Sequence, residues 1–260
     1  MALIDIADVD RTRVLTLAHE KPTNPFGKDM ANVFMEVVRE ADADDGVDAI
    51  VVFGGHDRCF SAGGNFNEAR LLATDEAINE TIDWCTDLYL SVLNTRKPTV
   101  AAIDRHAIGL GFQLAMMFDW KIMSTRADLV MPELEHGIGA SMAATILTTA
   151  CGYDAARHII MSCRPISPDT ALHRRMVDEV CEPEFLLERA MQRAARMGRY
   201  PEIAYSATKR VLVAPMQAAL ENTREASKAV HRATFGAKAM HKHFDNVLGA
   251  GGGQAGSAAS

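Results

Sequence analysis

The sequence predicts one α/β domain followed by a helical C-terminal region. Two short apolar runs, Ala49–Phe53 and Thr99–Ile103, are typical of strands buried on both faces. Each run is followed by a glycine-bearing loop and then by a segment with helical character. From Ser141 onward the periodicity favours helix almost throughout, so strand–loop–helix units give way to helices along the chain.

The remaining elements follow from the spacing of apolar residues and from capping residues. Before Ser141 these are, in chain order, a strand Val14–Leu17, a helix over 28–41, a long helix capped by Asp75, a helix Phe112–Phe118, and strands Lys121–Met123 and Leu129–Met131. The helical half is expected to break at Gly152, Pro165, Pro168, Pro183, Pro201 and Pro215.

The last helices, Pro201–Val213 and Pro215–Val247, are long enough to pack outside the main body. They favour an oligomer, with packing back onto their own subunit as the alternative. We therefore divide the chain into a core over 1–200, a helical oligomerisation region over 201–248 and a tail over 249–260. The tail contains only Gly, Ala, Ser and Gln, which predicts disorder.

Composition predicts a globular protein with a full hydrophobic core and no general affinity for nucleic acid or acidic membranes. The chain has 260 residues, 48% of them hydrophobic, which is enough for a full core. A net charge of −7 gives no general attraction to nucleic acid or to acidic membranes. The five scattered cysteines favour a reduced, cytoplasmic setting. Neither a signal peptide nor a membrane span is predicted.

The prediction of a chemical function rests on the two glycine loops, Ser61–Asn65 and Gly109–Phe112. Glycine lets a ligand approach the main chain closely, and the first amides of a helix are free to donate. Two loops from separate parts of the chain can each aim one N–H at the same oxygen. That arrangement is typical of an oxyanion hole and therefore of chemistry at a carbonyl group.

Two other kinds of site are not predicted. The Gly109 loop has Leu114 where a dinucleotide-binding fingerprint needs its third glycine. His241 and His243 lie two apart on an expected helix and so point to different sides. Glu133 and His136 have the spacing of a di-iron helix, but the second copy is missing. We predict no metal site.

Glu133 is the candidate acid–base residue. It stands between Pro132 and Leu134 at the end of an apolar strand, where at least partial burial is expected. Burial raises the pKa of a carboxyl group and suits it to proton transfer. The alternative, taken from this segment alone, is an exposed loop glutamate.

Three segments together identify a resemblance: Cys59–Gly64, Ala107–Asp119 and Met131–Glu133. Their order and spacing resemble the crotonase (enoyl-CoA hydratase/isomerase) superfamily over residues 1–248. The resemblance implies a spiral of ββα units with a helical C-terminal trimerisation region. It also implies an acyl-CoA substrate, and an oxyanion hole formed by the amides of Gly64 and Leu110 with Glu133 as the catalytic carboxylate. The expected substrate-binding residues are Ala62, Gly63, Asn65, Phe66, Gly111, Gln113 and His231.

Position 113 distinguishes chemistries within the superfamily. A hydratase of this type carries glutamates at both 113 and 133, and the carboxamide of Gln113 cannot exchange a proton at neutral pH. Hydration is therefore not expected. Segments such as Met131–Gly139 and Thr223–His231 instead resemble the carboxymethylproline synthases of carbapenem antibiotic biosynthesis.

That resemblance implies decarboxylation of malonyl-CoA to an enolate and its addition to pyrroline-5-carboxylate, which can open to glutamate semialdehyde. Hydrolysis of the thioester follows, with Glu133 activating water. Gln113 is expected to position the malonyl carboxylate or this water. His231 is the candidate for the imine's carboxylate, with a surface histidine as the alternative. The resemblance implies no permanently bound cofactor. It does imply a homotrimer or a dimer of trimers.

Two other functions stay open at this point. One is a decarboxylase or hydrolase that acts on malonyl-CoA or another acyl-CoA alone. The other is a non-catalytic RNA-binding homologue, which needs clustered basic residues. The best basic cluster is sparse and has acids nearby, so no nucleic-acid partner is expected; its members are Arg157, Arg164, Arg174 and Arg175.

Overall fold

The computed structural model describes residues 2–235. The strands are β1 Ile4–Val9, β2 Thr12–Leu17, β3 Ala49–Phe53, β4 Thr99–Ile103, β5 His106–Ile108, β6 Trp120–Ser124, β7 Asp128–Val130 and β8 Glu179–Cys181. The helices are α1 Lys28–Ala43, α2 Phe66–Ala69, α3 Asp75–Leu93, α4 Leu110–Ala115, α5 Ser141–Cys151, α6 Tyr153–Ser162, α7 Pro168–His173, α8 Leu186–Gly198 and α9 Glu202–Phe235, with a 3-10 turn at Pro183–Phe185.

A six-stranded sheet in the order β1-β2-β3-β4-β6-β8 organises the fold. Only the β1–β2 pair is antiparallel, and each later pair is parallel. All residues of β3 and β4 are buried, because helices cover both faces of the sheet. A second, two-stranded parallel sheet pairs β5 with β7 beside the main one.

The core lies on both sides of the main sheet. The larger part packs α1, α3, α4 and α5 against one face. The smaller part packs α8 against the other face through four buried residues that recur at helical spacing, Leu186, Ala190, Ala194 and Met197. The α/β class expected from the sequence is therefore confirmed.

Several expected boundaries change. The sequence did not predict β1, because five of its six residues are exposed and only Ile4 is buried. Strand β8 lies within the half expected to be helical. The cap of α3 is Thr74, whose hydroxyl accepts a hydrogen bond from the amide of Ala77, and Asp75 is the first helical residue.

Pro215 does not break the last helix, so the expected division between residues 213 and 215 is wrong. Helix α9 continues from Glu202 to Phe235 with Pro215 inside it. Proline removes one hydrogen bond to the carbonyl four residues earlier, that of Val211. Both residues are exposed, so water can satisfy that carbonyl, and packing of α9 on α3 and α5 maintains the helix. Residues 236–247 lie outside the described part of the chain.

Helix α9 packs back onto its own subunit but also exposes large apolar side chains, those of Ile203, Val211 and Leu212. Its first half is fixed by a buried ion pair, in which Lys209 Nζ lies 2.6 Å from Asp119 Oδ2. Lys209 also donates to the Thr95 hydroxyl and to the carbonyl of Lys97. This cluster joins α9 to the end of the sheet.

We expect Lys209→Met to destabilise the fold, because it leaves Asp119 buried without its cation. Losing one partner of a buried pair costs about 3–5 kcal/mol. Chemical denaturation monitored by circular dichroism measures this free energy of unfolding. In the matched control, Arg39→Met removes an exposed pair with Glu36 and should cost less than about 1 kcal/mol. Equal losses in the two variants would contradict this role for Lys209.

Candidate active site

The two glycine loops are joined by backbone hydrogen bonds. The first loop comes after β3, and the second comes after β4 and the short strand β5. Because β3 and β4 are parallel neighbours, both segments leave the main sheet at the same end. Ser61 pairs with Ala107 in a parallel bridge. The amide of Ser61 donates to the carbonyl of His106 at 3.1 Å, and the amide of Ile108 donates to the carbonyl of Ser61 at 2.9 Å. The expected meeting of the two loops is confirmed.

Glycine is required where these loops touch. Gly63 has a φ of +95°, and a Cβ there would lie 2.7 Å from the carbonyl oxygen of Ile108. A Cβ at Gly111 would lie 2.4 Å from the carbonyl oxygen of Ser61. Real Cβ atoms do not approach backbone this closely, so larger residues would push the loops apart.

The amides of Gly64 and Leu110 border the same space. Within residues 2–235, neither donates a hydrogen bond to another protein atom. A Cβ added at Gly64 would meet no atom within 4 Å, so that residue borders open space. Leu110 is the first residue of α4, where helix geometry leaves the amide unpaired and the helix dipole is positive.

These amides line a cavity of about 430 Å³. Nine of the ten expected site residues line it: Ala62, Gly63, Gly64, Asn65, Phe66, Leu110, Gln113, Glu133 and His231. Gly111 is not part of this lining; it packs against Ser61 where the two loops meet, and its expected role in substrate binding stays a prediction. The Ser61 hydroxyl group serves the backbone of this region: it donates a hydrogen bond to the carbonyl of Asn24 and accepts one from the amide of Gly63.

Glu133 enters the cavity from the turn after β7. Its Oε1 accepts a hydrogen bond from Gln113 Nε2 at 3.1 Å. Its Oε2 is closed off from solvent and has no partner among the described residues. Burial raises the pKa of Glu133 to about 7, although hydrogen bonds from its own backbone amide and from Gln113 act in the opposite direction. The exposed-loop alternative is therefore wrong for this carboxyl group.

Gln113 connects Glu133 to α3. Its Oε1 accepts from the buried Tyr89 hydroxyl at 3.0 Å, while its Nε2 donates to Glu133. Gly109 makes room for this contact, because a Cβ there would lie 3.0 Å from Glu133 Oε1 and the residue has a φ of +52°. One carboxylate and one carboxamide thus face each other in the cavity.

Asn65 braces the first loop. Its Oδ1 caps the short helix α2 by accepting from the amide of Asn67, and its Nδ2 donates to Glu68. Glu68 in turn accepts from the amide of Lys28 at the start of α1. Asn65 therefore caps α2 and, through Glu68, ties the loop to α1.

His231 reaches the cavity from α9. Its Nδ1 lies 2.7 Å from the carbonyl oxygen of Ser227, so Nδ1–H donates there and the neutral ring keeps Nε2 as an acceptor. Burial lowers the pKa of His231. The histidine is thus part of the cavity wall and not a surface residue.

Helix α3 supplies part of the cavity wall, which was not predicted from the sequence. Trp84, Cys85 and Tyr89 line the cavity together with His136, whose ring lies edge-on to Phe66 at 5.5 Å between centroids. The available signal was the four-residue spacing from Cys85 to Tyr89, which puts both on one helical face.

No metal centre is found in the described residues: no three His, Cys, Asp or Glu side chains are arranged to hold an ion. His241 and His243 lie outside them. Among the same residues, no helix is both long enough and apolar enough to cross a membrane.

Comparisons with known proteins agree with this geometry. A family model described as enoyl-CoA hydratase/isomerase matches residues 11–247. A carboxymethylproline synthase from Pectobacterium carotovorum is 46% identical over 92% of this chain and 96% of its own length. A probable enoyl-CoA hydratase from Mycobacterium avium is 32% identical over 77% of each chain.

Solved structures give the same result. ThnE from S. clavuligerus matches with a TM-score of 0.77 and 28% identity over 88% of this chain and all of that one. An enoyl-CoA hydratase from Bacillus halodurans matches with a TM-score of 0.86 over 94% of this chain and all of that one, but at 20% identity it shows the fold alone. The expected crotonase fold is confirmed, and the chain belongs to the enoyl-CoA hydratase/isomerase family of enzymes.

Proposed function

We propose that this enzyme makes carboxymethylproline from malonyl-CoA and pyrroline-5-carboxylate, and releases CoA and CO₂. The observation that carries the proposal is the 46% identity, over nearly full length, to a carboxymethylproline synthase. The cavity supports it, because one buried carboxylate faces a carboxamide beside two free amides.

The first step is loss of CO₂ from malonyl-CoA, which leaves an enolate with its charge on the thioester oxygen. The amides of Gly64 and Leu110 would stabilise that charge as it forms. Removing one such donor costs about 10²–10³ in rate in comparable sites. The loop Ala62–Phe66 borders the cavity and would hold the CoA portion.

In the second step the enolate carbon attacks the C=N carbon of the imine, and the ring nitrogen ends protonated. The imine's carboxylate needs a partner in the cavity, and we assign it to His231. The neutral ring has only an acceptor free, so this anion would bind the protonated form through Nε2–H.

The third step is hydrolysis of the thioester by water that Glu133 deprotonates. A pKa of about 7 gives this group substantial populations of both forms at neutral pH. Only the ionised form is a base, so hydrolysis should become faster as the pH rises through about 7. The buried Oε2 has no protein partner in the described residues and is the oxygen we assign to the water.

We further propose that the protein works as a homotrimer or dimer of trimers in the cytoplasm. The exposed apolar residues of α9 support self-association, because burial of such side chains against another copy is favourable.

The product assay tests the proposed function. We expect malonyl-CoA and pyrroline-5-carboxylate together to yield carboxymethylproline and CoA, identified by mass spectrometry. Crotonyl-CoA is the control substrate and should not be hydrated, because Gln113 cannot exchange the second proton. Acetyl-CoA as the sole product from malonyl-CoA, both with and without pyrroline-5-carboxylate, would favour a decarboxylase. Rapid hydration of crotonyl-CoA would contradict the assignment of the site.

Glu133→Ala should separate the two halves of the reaction. We expect decarboxylation and C–C bond formation to continue, since they depend on the two amides, while hydrolysis slows by about 10²–10⁴-fold. Carboxymethylproline should then accumulate as its CoA thioester, visible by mass spectrometry. The matched control is Glu135→Ala, an exposed glutamate in the same turn, which should behave as wild type. Normal release of free product by the Glu133 variant would rule out its role as base.

His231→Asn should raise KM for pyrroline-5-carboxylate about tenfold and leave the decarboxylation of malonyl-CoA alone unchanged. Anion binding requires the protonated ring, so in the wild type this KM should rise with pH above the lowered pKa of His231. The variant should lack that dependence, measured as the difference between the two pH profiles. His158→Asn, at an exposed position outside the cavity, is the control. Identical profiles in all three proteins would refute the assignment.

A further inference from the structure

Tyr89 is the buried group that the proposed mechanism does not use. It lies on α3, is only 2% exposed, and donates its hydroxyl hydrogen to Gln113 Oε1 at 3.0 Å. Gln113 belongs to α4, and Glu133 belongs to the turn after β7. A chain of two hydrogen bonds therefore connects three separate elements inside the cavity wall.

The chemistry of the groups fixes the direction of this chain. Burial holds the pKa of Tyr89 well above its usual value, so the phenol stays protonated and can donate. An ionised carboxylate can only accept. The Gln113 amide satisfies both neighbours in one orientation only, with Oε1 toward Tyr89 and Nε2 toward Glu133. Nε2 also lies 3.7 Å from Met131 Sδ, a weak acceptor.

Without the phenol, that orientation loses its donor. Oε1 would then be buried without a partner, and the amide could turn so that its oxygen faced the carboxylate. Glu133 would lose the side-chain donor that stabilises its ionised form.

We propose that Tyr89 is a positioning residue for Glu133: it fixes the Gln113 amide with an N–H toward Oε1, which leaves Oε2 to meet the water. The consequence for catalysis rests on the hydrolytic function proposed for Glu133. The consequence for the ionisation of Glu133 depends only on the hydrogen-bonded chain.

Other titratable groups line the same cavity, and the test has to separate their effects from that of Tyr89. From α3 these are Cys85 and Glu80; from α1, Lys28; from α2, Glu68; from the turn that bears Glu133, His136; and from α9, His231. None of these side chains is hydrogen-bonded to the Glu133 carboxyl group, whereas Gln113 is.

The first experiment follows ionisation without substrate. The carbonyl stretch of a protonated carboxyl group is measured by infrared difference spectroscopy against pH, with Glu133→Gln to assign the band. We expect Tyr89→Phe to raise the midpoint of Glu133 by about one pH unit. Tyr205→Phe is the control, because this half-buried phenol bonds to Asp119 outside the cavity and should leave the midpoint unchanged. No rise in Tyr89→Phe would overturn the proposal.

A double-mutant cycle then tests whether Tyr89 acts through Gln113. Gln113→Met keeps the length of the side chain, removes the amide and should also raise the midpoint. Adding Tyr89→Phe to Gln113→Met should produce no further rise. An equal additional rise would mean that Tyr89 acts directly, which contradicts the proposal. Should Tyr89→Phe fail to fold, an unchanged midpoint in Gln113→Met would overturn it as well.

The kinetic readout uses the carboxymethylproline thioester of CoA as substrate. We expect the rising limb of the pH profile of kcat to move to higher pH by about one pH unit in Tyr89→Phe. Activity should recover at high pH, and KM should not change. A uniform loss at all pH values would indicate a merely structural role and contradict the proposal. If the wild type does not hydrolyse this thioester, the proposed function fails, while the infrared titration still decides the role of Tyr89.

Discussion

The contact between the two glycine loops is the constraint on which the site depends. Ser61 and Ala107 pair as neighbouring backbone segments, although the loops lie far apart in sequence. This pairing is possible only because Gly63 and Gly111 have no side chain where the chains approach. The free amides of Gly64 and Leu110 are held beside the same cavity as a consequence. Rotation of a side chain cannot move a donor that belongs to the backbone, so these two donors are as rigid as the sheet that supports their loops.

Two opposing influences set the pKa of Glu133. Burial favours the neutral acid, and the hydrogen bond from Gln113 favours the carboxylate. A second glutamate at position 113 would replace that donor with a like charge, and the two carboxyl groups would titrate as a coupled pair. The carboxamide therefore lets Glu133 titrate without a coupled partner, and it carries no proton that could serve hydration. One difference between an amide and an acid changes both the ionisation and the reaction.

The sequence predicted the parts of this molecule that local patterns determine. The bounds of β3 and β4 were predicted correctly because a strand buried on both faces is an unbroken apolar run. The loops and Glu133 were found because glycine pairs and a carboxylate after an apolar strand are visible in the sequence alone. Gln113 was found only through the resemblance to the crotonases. β1 was missed, since an exposed edge strand lacks that signal. Tyr89 was missed because its partner is 24 residues away on another helix. The packing of Gly111 on Ser61 was missed because glycine spacing does not tell cavity lining from loop packing.

Helix α9 is attached to the rest of the subunit in two different ways, on either side of Pro215. Before the proline, Lys209 and Asp119 form a pair whose side chains are only 4% and 13% exposed. After it, Arg224 and Lys228 pair with Asp83 and Asp87 on α3, carboxylates that are 39% and 54% exposed. Dissolved ions screen exposed pairs strongly and buried ones weakly. We therefore expect high ionic strength to weaken the ion pairs in the half of α9 that carries His231 more than the Lys209–Asp119 pair. The buried Leu220 and Ser227 still hold that half on the subunit, so salt changes the charges beside the cavity wall without detaching the helix.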